Sequence, residues 1–98
     1  MSRVIEWLSF SDVVTGHVEN YTVKQFGDLP DDSLSTYTVE DCLRAISKYV
    51  TRNMRENRRG HKEAMRDMVK IAHYAAAAFW KMAKHSAAPE IKDIEEGR

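Results

Sequence analysis

The sequence is short of several residue types, and each shortage excludes a class of protein. One cysteine in 98 residues excludes an internal disulfide and a paired-cysteine zinc site, and it is typical of a reducing cytoplasm. No apolar run approaches the roughly 20 residues of a membrane helix, and the N-terminus lacks the basic and apolar regions of a secretory signal. We therefore expect a cytoplasmic protein that does not contact a membrane.

Motifs for catalysis are also lacking. The chain has no glycine-rich phosphate loop, no HExxH zinc motif and no GxSxG nucleophile elbow. Cys42 falls on the apolar face of a predicted helix, which favours a small buried side chain over a nucleophile. We therefore predict no catalytic residue and no cofactor, and lean towards a protein that is not an enzyme.

The length of the chain allows one domain. We assign residues 1–88 to a single helical domain and residues 89–98, which are rich in charge and begin with Pro89, to a flexible C-terminal tail. A chain this short leaves much of its surface exposed, so pairing with further copies is a simple way to bury more of it. We expect a homo-oligomer.

Apolar residues at helical spacing predict three helical segments. The first covers residues 2–21, as one interrupted helix or two short ones, and a long loop follows from Thr22 to Tyr37. A capping box formed by Thr38 and Asp41 opens a second helix, over residues 39 to about 56. The third runs from about His61 to His85. The predicted fold is all-α: a small helical bundle with two main antiparallel helices, an N-terminal helical segment and a long loop.

The third helix contains a regular stripe of mostly apolar side chains. Its members alternate at spacings of four and three: His61, Met65, Met68, Ala72, Ala75, Phe79 and Met82. This alternation is typical of a seam that packs against another helix.

Charge is unevenly distributed, although the net charge is zero. Residues 1–41 contain two cations and eight acids, whereas residues 42–66 contain eight cations and two acids, which gives −6 and +6. The asymmetry indicates either an anionic partner for the basic part or packing of the acidic part against it. The sequence leaves both interpretations open.

The cations of the second helix define a candidate binding face. Lys48, Arg52 and Arg55 share one side of it, Arg58 and Arg59 lie in the following turn, and Lys70 belongs to the third helix. Arginines bind phosphates and carboxylates through paired hydrogen bonds, so this basic face could bind an acidic protein or a phosphate. Internal ion pairs are the alternative. Glu63 and Asp67 are the weak candidates for a metal site.

A resemblance covers residues 40–80. Two helices joined by a basic turn carry the residues Lys48, Tyr49, Arg52, Asp67, Lys70 and Tyr74. The pattern looks like a helical hairpin of small phage and prophage proteins whose function is unassigned. It also distantly resembles the all-α nucleoside triphosphate pyrophosphatases of the MazG type, which are oligomeric. The resemblance implies a helical fold and a bacterial or phage-infected cell as the location.

The MazG-type enzymes hold magnesium with an ExxE pair on one helix and an ExxD pair on another. This chain departs from that pattern, because Glu40 and Asp41 are adjacent and Glu63 and Asp67 are four residues apart. Under the resemblance, Glu63 and Asp67 are the residues that could retain a cation.

We therefore predict a small non-catalytic interaction protein, encoded by a phage, that binds a host protein or other acidic partner through its basic helical-hairpin face. The alternative is a protein that binds nucleotide phosphates, or a degenerate MazG-like pyrophosphatase that uses magnesium. Binding to nucleic acid is disfavoured, because the net charge is zero and the first third of the chain is acidic.

Overall fold

The structure, a computed structural model, describes residues 2–23, 33–55, 60–84 and 88–97. These residues form helices and no strand, which confirms the predicted all-α fold. The helices are α1 (Arg3–His17), a π-helical segment that continues it (Val18–Val23), α2 (Ser33–Thr36), α3 (Val39–Met54), α4 (His61–Ala83) and α5 (Ala88–Glu95). None of the helices that these residues form is both long and apolar enough to cross a membrane.

The helix α1 is capped by Ser2, whose Oγ accepts a hydrogen bond from the backbone N–H of Ile5 at 3.1 Å. This bond satisfies one of the donors that a helix start leaves unpaired. The α-helical backbone is continuous to His17 and then widens into the π-helical segment. The interruption predicted within the first segment, with a restart at Ser9 or Ser11, is therefore wrong, because the α-helix continues through both residues.

The helix α3 begins with the predicted capping box. The Thr38 hydroxyl accepts from the backbone N–H of Asp41 at 3.1 Å, and the Asp41 carboxylate accepts from the N–H of Thr38 at 2.9 Å. The helix ends at Met54, two residues before the predicted end, because the backbone of Arg55 is extended. Gly60 precedes α4 with a φ of 127°, a conformation that glycine adopts without strain.

Helices α3 and α4 form the antiparallel pair that the sequence predicts. Tyr49 contacts Tyr74, whereas Arg52, one turn further along α3, contacts Asp67, two turns earlier on α4. Among the described residues, the buried apolar side chains are those of Cys42, Tyr49, Val69 and Ala78. The core therefore lies mainly between α3 and α4, and it is small.

The stripe of α4 that faces α3 includes Asp67, Tyr74 and Ala78. It is not the seam predicted from the sequence, which lies one residue further round the helix. Four members of that seam remain exposed on the molecule: Met65, Met68, Phe79 and Met82 at 58%, 43%, 36% and 49%. The helix thus carries two adjacent stripes at helix-packing spacing, of which α3 covers one.

The C-terminal end of α1 lies against the middle of α4, where the rings of His17 and His73 are 6.1 Å apart. Within α1, all of which is described, no side chain is fully buried.

The structure describes only parts of the predicted loop, Thr22 to Tyr37, and of the predicted tail, residues 89–98. Residues 24–32 of the predicted loop lie outside the described residues. The loop prediction is wrong for Thr22 and Val23, which belong to the π-helical segment, and for Ser33–Thr36, which form α2. Helix α5 falls in the predicted tail, whose flexibility stays a prediction.

Candidate functional site

A buried carboxylate joins the two main helices. Asp67 of α4 is 2% exposed and accepts three hydrogen bonds from α3. Arg52 donates from Nε to Oδ2 at 3.0 Å and from Nη2 to Oδ1 at 2.6 Å, and the amide of Asn53 donates to Oδ2 at 2.8 Å. The bonds from Arg52 lower the pKa of the Asp67 carboxyl below its ordinary value. Asp67 is therefore ionised and fully paired at neutral pH.

A stack of three tyrosine rings lies next to this ion pair, because Arg52 contacts the ring of Tyr49. Tyr74 lies between Tyr37 and Tyr49, with ring centroids 6.2 Å and 6.1 Å away and small interplanar angles. Burial raises the pKa of Tyr74 above its ordinary value, so its phenol is neutral. The stack therefore attaches Tyr37, just before α3, to the hairpin.

Three cations surround the ring of Tyr49. The Lys48 and Lys70 ammonium groups and the Arg52 guanidinium lie 4.9 Å, 5.4 Å and 4.9 Å from its centroid. These distances are within the range of cation–π attraction. The structure thereby brings together Lys48, Tyr49, Arg52, Asp67, Lys70 and Tyr74, and each of them contacts at least one other.

A shallow groove of about 380 Å³ runs along the exposed side of α3. None of its described lining residues is acidic. They are four cations and two hydroxyl residues: Arg44, Lys48, Arg52, Arg55, Ser47 and Thr51. We call this surface the basic groove. Two carboxylates lie at the edge of the basic groove, where Asp41 and Glu40 form ion pairs with Arg44 at 2.9 Å and 3.3 Å.

No protein-family model, curated protein or solved structure matched this chain. The function is therefore inferred from the chemistry of the groove, and the resemblance to phage and MazG-type proteins stays a prediction.

The predicted site residues fall into three groups. Lys48, Arg52 and Arg55 line the basic groove. Lys70 lies 5.4 Å from the Tyr49 ring and borders a second groove between α1 and α4. Arg58 and Arg59 lie outside the described residues.

The two metal candidates are both bound to arginines. Glu63 pairs with Arg66 at 2.8 Å, and Asp67 pairs with Arg52. Within the described part of the chain, no three His, Cys, Asp or Glu side chains come together as a metal-binding group. A cation at Glu63 and Asp67 would have to displace both guanidinium groups.

The groove between α1 and α4 has a volume of about 360 Å³ and was not predicted from the sequence. His17 lies on its wall, and burial, followed by the charge of Lys70, lowers the pKa of this histidine. Its imidazole is therefore neutral at pH 7. The sequence contains no signal for this groove, because its two walls are far apart in the chain.

Proposed function

We propose that this protein is a small non-catalytic interaction protein that binds an acidic protein segment in the basic groove of α3. The supporting observation is the composition of that groove, in which four cations and two hydroxyl residues line one surface and none of the described lining residues is acidic. Such a surface attracts carboxylate-rich segments and offers hydrogen-bond donors to them.

The four cations are not equally available to a partner. The guanidinium of Arg52 is used by Asp67, and Arg44 is shared with Glu40 and Asp41. Lys48 and Arg55 are exposed, and neither has an ion-pair partner among the described residues. Lys48 and Arg55 are therefore the residues expected to contribute most to binding.

A fluorescently labelled peptide rich in glutamate and aspartate, titrated at low salt, tests this proposal. We expect saturable binding that weakens as salt is added, because exposed charges are screened. The double variant Lys48→Glu and Arg55→Glu should lose binding and keep the helical circular dichroism spectrum. Arg52 is left intact, since its removal would leave the buried Asp67 without its main partner.

Lys84→Glu and Lys92→Glu provide a matched control, because this pair changes the net charge equally at exposed positions outside the basic groove. The control should bind the peptide with little change. Equal loss in both double variants would mean that only net charge matters, and no binding by the unmodified protein would refute the proposal.

Nucleotide phosphates are the second candidate ligand. The Ser47 and Thr51 hydroxyls between the cations are donors that suit phosphate oxygens. A thermal-shift screen with nucleoside mono-, di- and triphosphates, with and without magnesium, tests this alternative. A saturable stabilisation that disappears in the Lys48 and Arg55 double variant would favour nucleotides over a protein segment.

Self-association is also part of the proposal. The buried core of the described chain is small, and many large apolar side chains of α1, α3 and α4 remain exposed. A partner that is always present, such as a second copy, would cover them.

A further inference from the structure

We infer that the side of the α3–α4 hairpin opposite α1 binds a second copy of this chain, as an antiparallel, twofold-symmetric four-helix bundle. This inference gives the self-association proposed above a specific interface. It does not depend on the basic groove, whose ligand is tested separately.

Both main helices carry an exposed apolar stripe. On α3 it contains Leu43, Val50 and Met54, which are 50%, 41% and 81% exposed. On α4 it contains the exposed residues Met65, Met68, Phe79 and Met82, with Ala72 and Ala75 between them. We call the two stripes together the apolar face.

The two stripes lie on the same side of the hairpin. On α3, the positions turned towards α4 are Cys42, Tyr49 and Asn53. The next residue after each of them belongs to the apolar stripe: Leu43, Val50 and Met54. On α4, Met68 and Phe79 likewise follow Asp67 and Ala78 by one residue. In an antiparallel pair, equal rotations about the two helices lead to the same side of the pair.

Helix α1 occupies the opposite side. Its His17 contacts His73, which precedes Tyr74 by one residue, and Arg66 of the same groove wall precedes Asp67. Lys48 of the basic groove similarly precedes Tyr49, so this cation is directed away from the apolar face. A second copy can therefore cover the apolar face without displacing α1 or covering Lys48.

The residues of the apolar stripe of α4 are spaced symmetrically about the middle of the helix, so the pattern reads the same from either end. Three pairs of positions are equidistant from a centre between His73 and Tyr74: Met65 with Met82, Met68 with Phe79, and Ala72 with Ala75. An antiparallel copy placed on this centre would bring each residue opposite the other member of its pair. The alanines would meet at the twofold axis, where small side chains permit close approach, and the bulky residues would pack on either side.

The stripe of α3 has a centre at the same level. Leu43 and Met54 are equidistant from a point between Lys48 and Tyr49. Tyr49 contacts Tyr74, with ring centroids 6.1 Å apart, so the centres of the two stripes lie side by side. One twofold axis can therefore relate both helices to their copies, which is what an interface between identical surfaces requires.

The area is sufficient for a stable dimer. The seven large apolar side chains of the apolar face together expose on the order of 700 Å², so two copies would bury about 1,400 Å², within the range of roughly 1,200–2,000 Å² found for specific interfaces. The face is uncharged, which favours a second copy over the acidic partner proposed for the basic groove.

Cross-linking between two single-cysteine variants tests the register. Met65→Cys and Met82→Cys are made separately, each with Cys42→Ala, and are unfolded and refolded together before treatment with a short bis-maleimide. The inferred register places position 65 opposite position 82 of the second copy, so the mixture should yield a covalent dimer. Neither variant alone should do so, because identical positions would be separated along the helix by 17 residues, or about 25 Å.

Cross-linking of one variant with itself, or none in the mixture, would overturn this register. Light scattering on the unmodified protein gives an independent result, since a dimer should have twice the 11.3 kDa mass of the chain. A monomer at high micromolar concentration would overturn the dimer itself.

A charge exchange provides the second test. Met68→Lys or Phe79→Glu alone should weaken dimerisation by on the order of a hundredfold, because each places an unpaired charge in an apolar interface. The two changes in one chain should restore much of the dimer, since position 68 is opposite position 79 of the copy. A double variant more dissociated than either single one would refute this pairing. Peptide binding in the basic groove should be retained throughout, so failure of the dimer and failure of the proposed ligand remain distinguishable.

Discussion

Replacement of Asp67 by asparagine is the most direct test of what holds the two main helices together. The buried carboxylate accepts three hydrogen bonds, all from donors of α3. An asparagine of nearly the same size has one acceptor and brings its own amide donor, so at least one donor of Arg52 or Asn53 would face another donor. The change therefore removes charge and hydrogen bonding while leaving the volume almost constant.

The expected loss can be estimated from the burial of the two partners. Removing one partner of a buried ion pair costs about 3–5 kcal/mol. The Arg52 side chain is 32% exposed, so water can partly solvate the charge left behind, and we expect the lower end, about 3 kcal/mol. The free energy of unfolding of a domain is roughly 5–15 kcal/mol in total, so the variant should remain folded but be only marginally stable.

Urea unfolding followed by circular dichroism, at one fixed protein concentration, measures this change. With a slope of about 1.5 kcal/mol per molar urea, the midpoint should fall by about 2 M. Glu63→Gln is the matched control, because Glu63 lies one turn earlier on α4 and pairs with the half-exposed Arg66. Its effect should remain below about 0.5 kcal/mol.

The pH dependence gives a second criterion. The pKa of Asp67 is lowered on folding, so its contribution is present above the unfolded value of about 3.9 and is lost as the pH falls through the lower folded-state pKa. The difference between the unmodified protein and Asp67→Asn should therefore shrink in acid. A difference below about 1 kcal/mol at pH 7, or one that is unchanged in acid, would refute the assignment of Asp67 as the main polar contact of the hairpin.

Three further predictions concern other parts of the chain. Thr38→Ala should lower the free energy of unfolding in urea by about 1 kcal/mol, because it removes the hydroxyl that caps α3, whereas an unchanged midpoint would mean that the cap contributes nothing. The thiol of Cys42 is fully buried, and burial raises its pKa, so a maleimide should label it only after denaturant is added. Rapid labelling of the native protein would contradict this burial. Removal of residues 89–98 should alter the free energy of unfolding by less than about 0.5 kcal/mol, and a larger loss, measured by the same urea titration, would show that the tail packs on the domain.

The sequence was sufficient to predict α1, α3 and α4, although not α2 and α5, because the signals that form these three helices are local. The capping box at Thr38 is present as predicted, since a side chain and a backbone donor three residues away meet in any helix start. The antiparallel pairing of α3 and α4 also follows from a short connection between two long amphipathic helices. The shared face of Lys48, Arg52 and Arg55 is likewise a consequence of the helical period.

The contacts between elements were decided by tertiary structure. Periodicity identifies two adjacent stripes on α4 with similar spacing, and only the position of α3 selects the one that contains Asp67 and leaves Met68 and Phe79 exposed. From the sequence, Asp67 was only a weak candidate for a metal site and not for the core, because an isolated carboxylate normally stays in water. It is buried here because Arg52 and Asn53, fifteen and fourteen residues away, supply donors that no local pattern reveals.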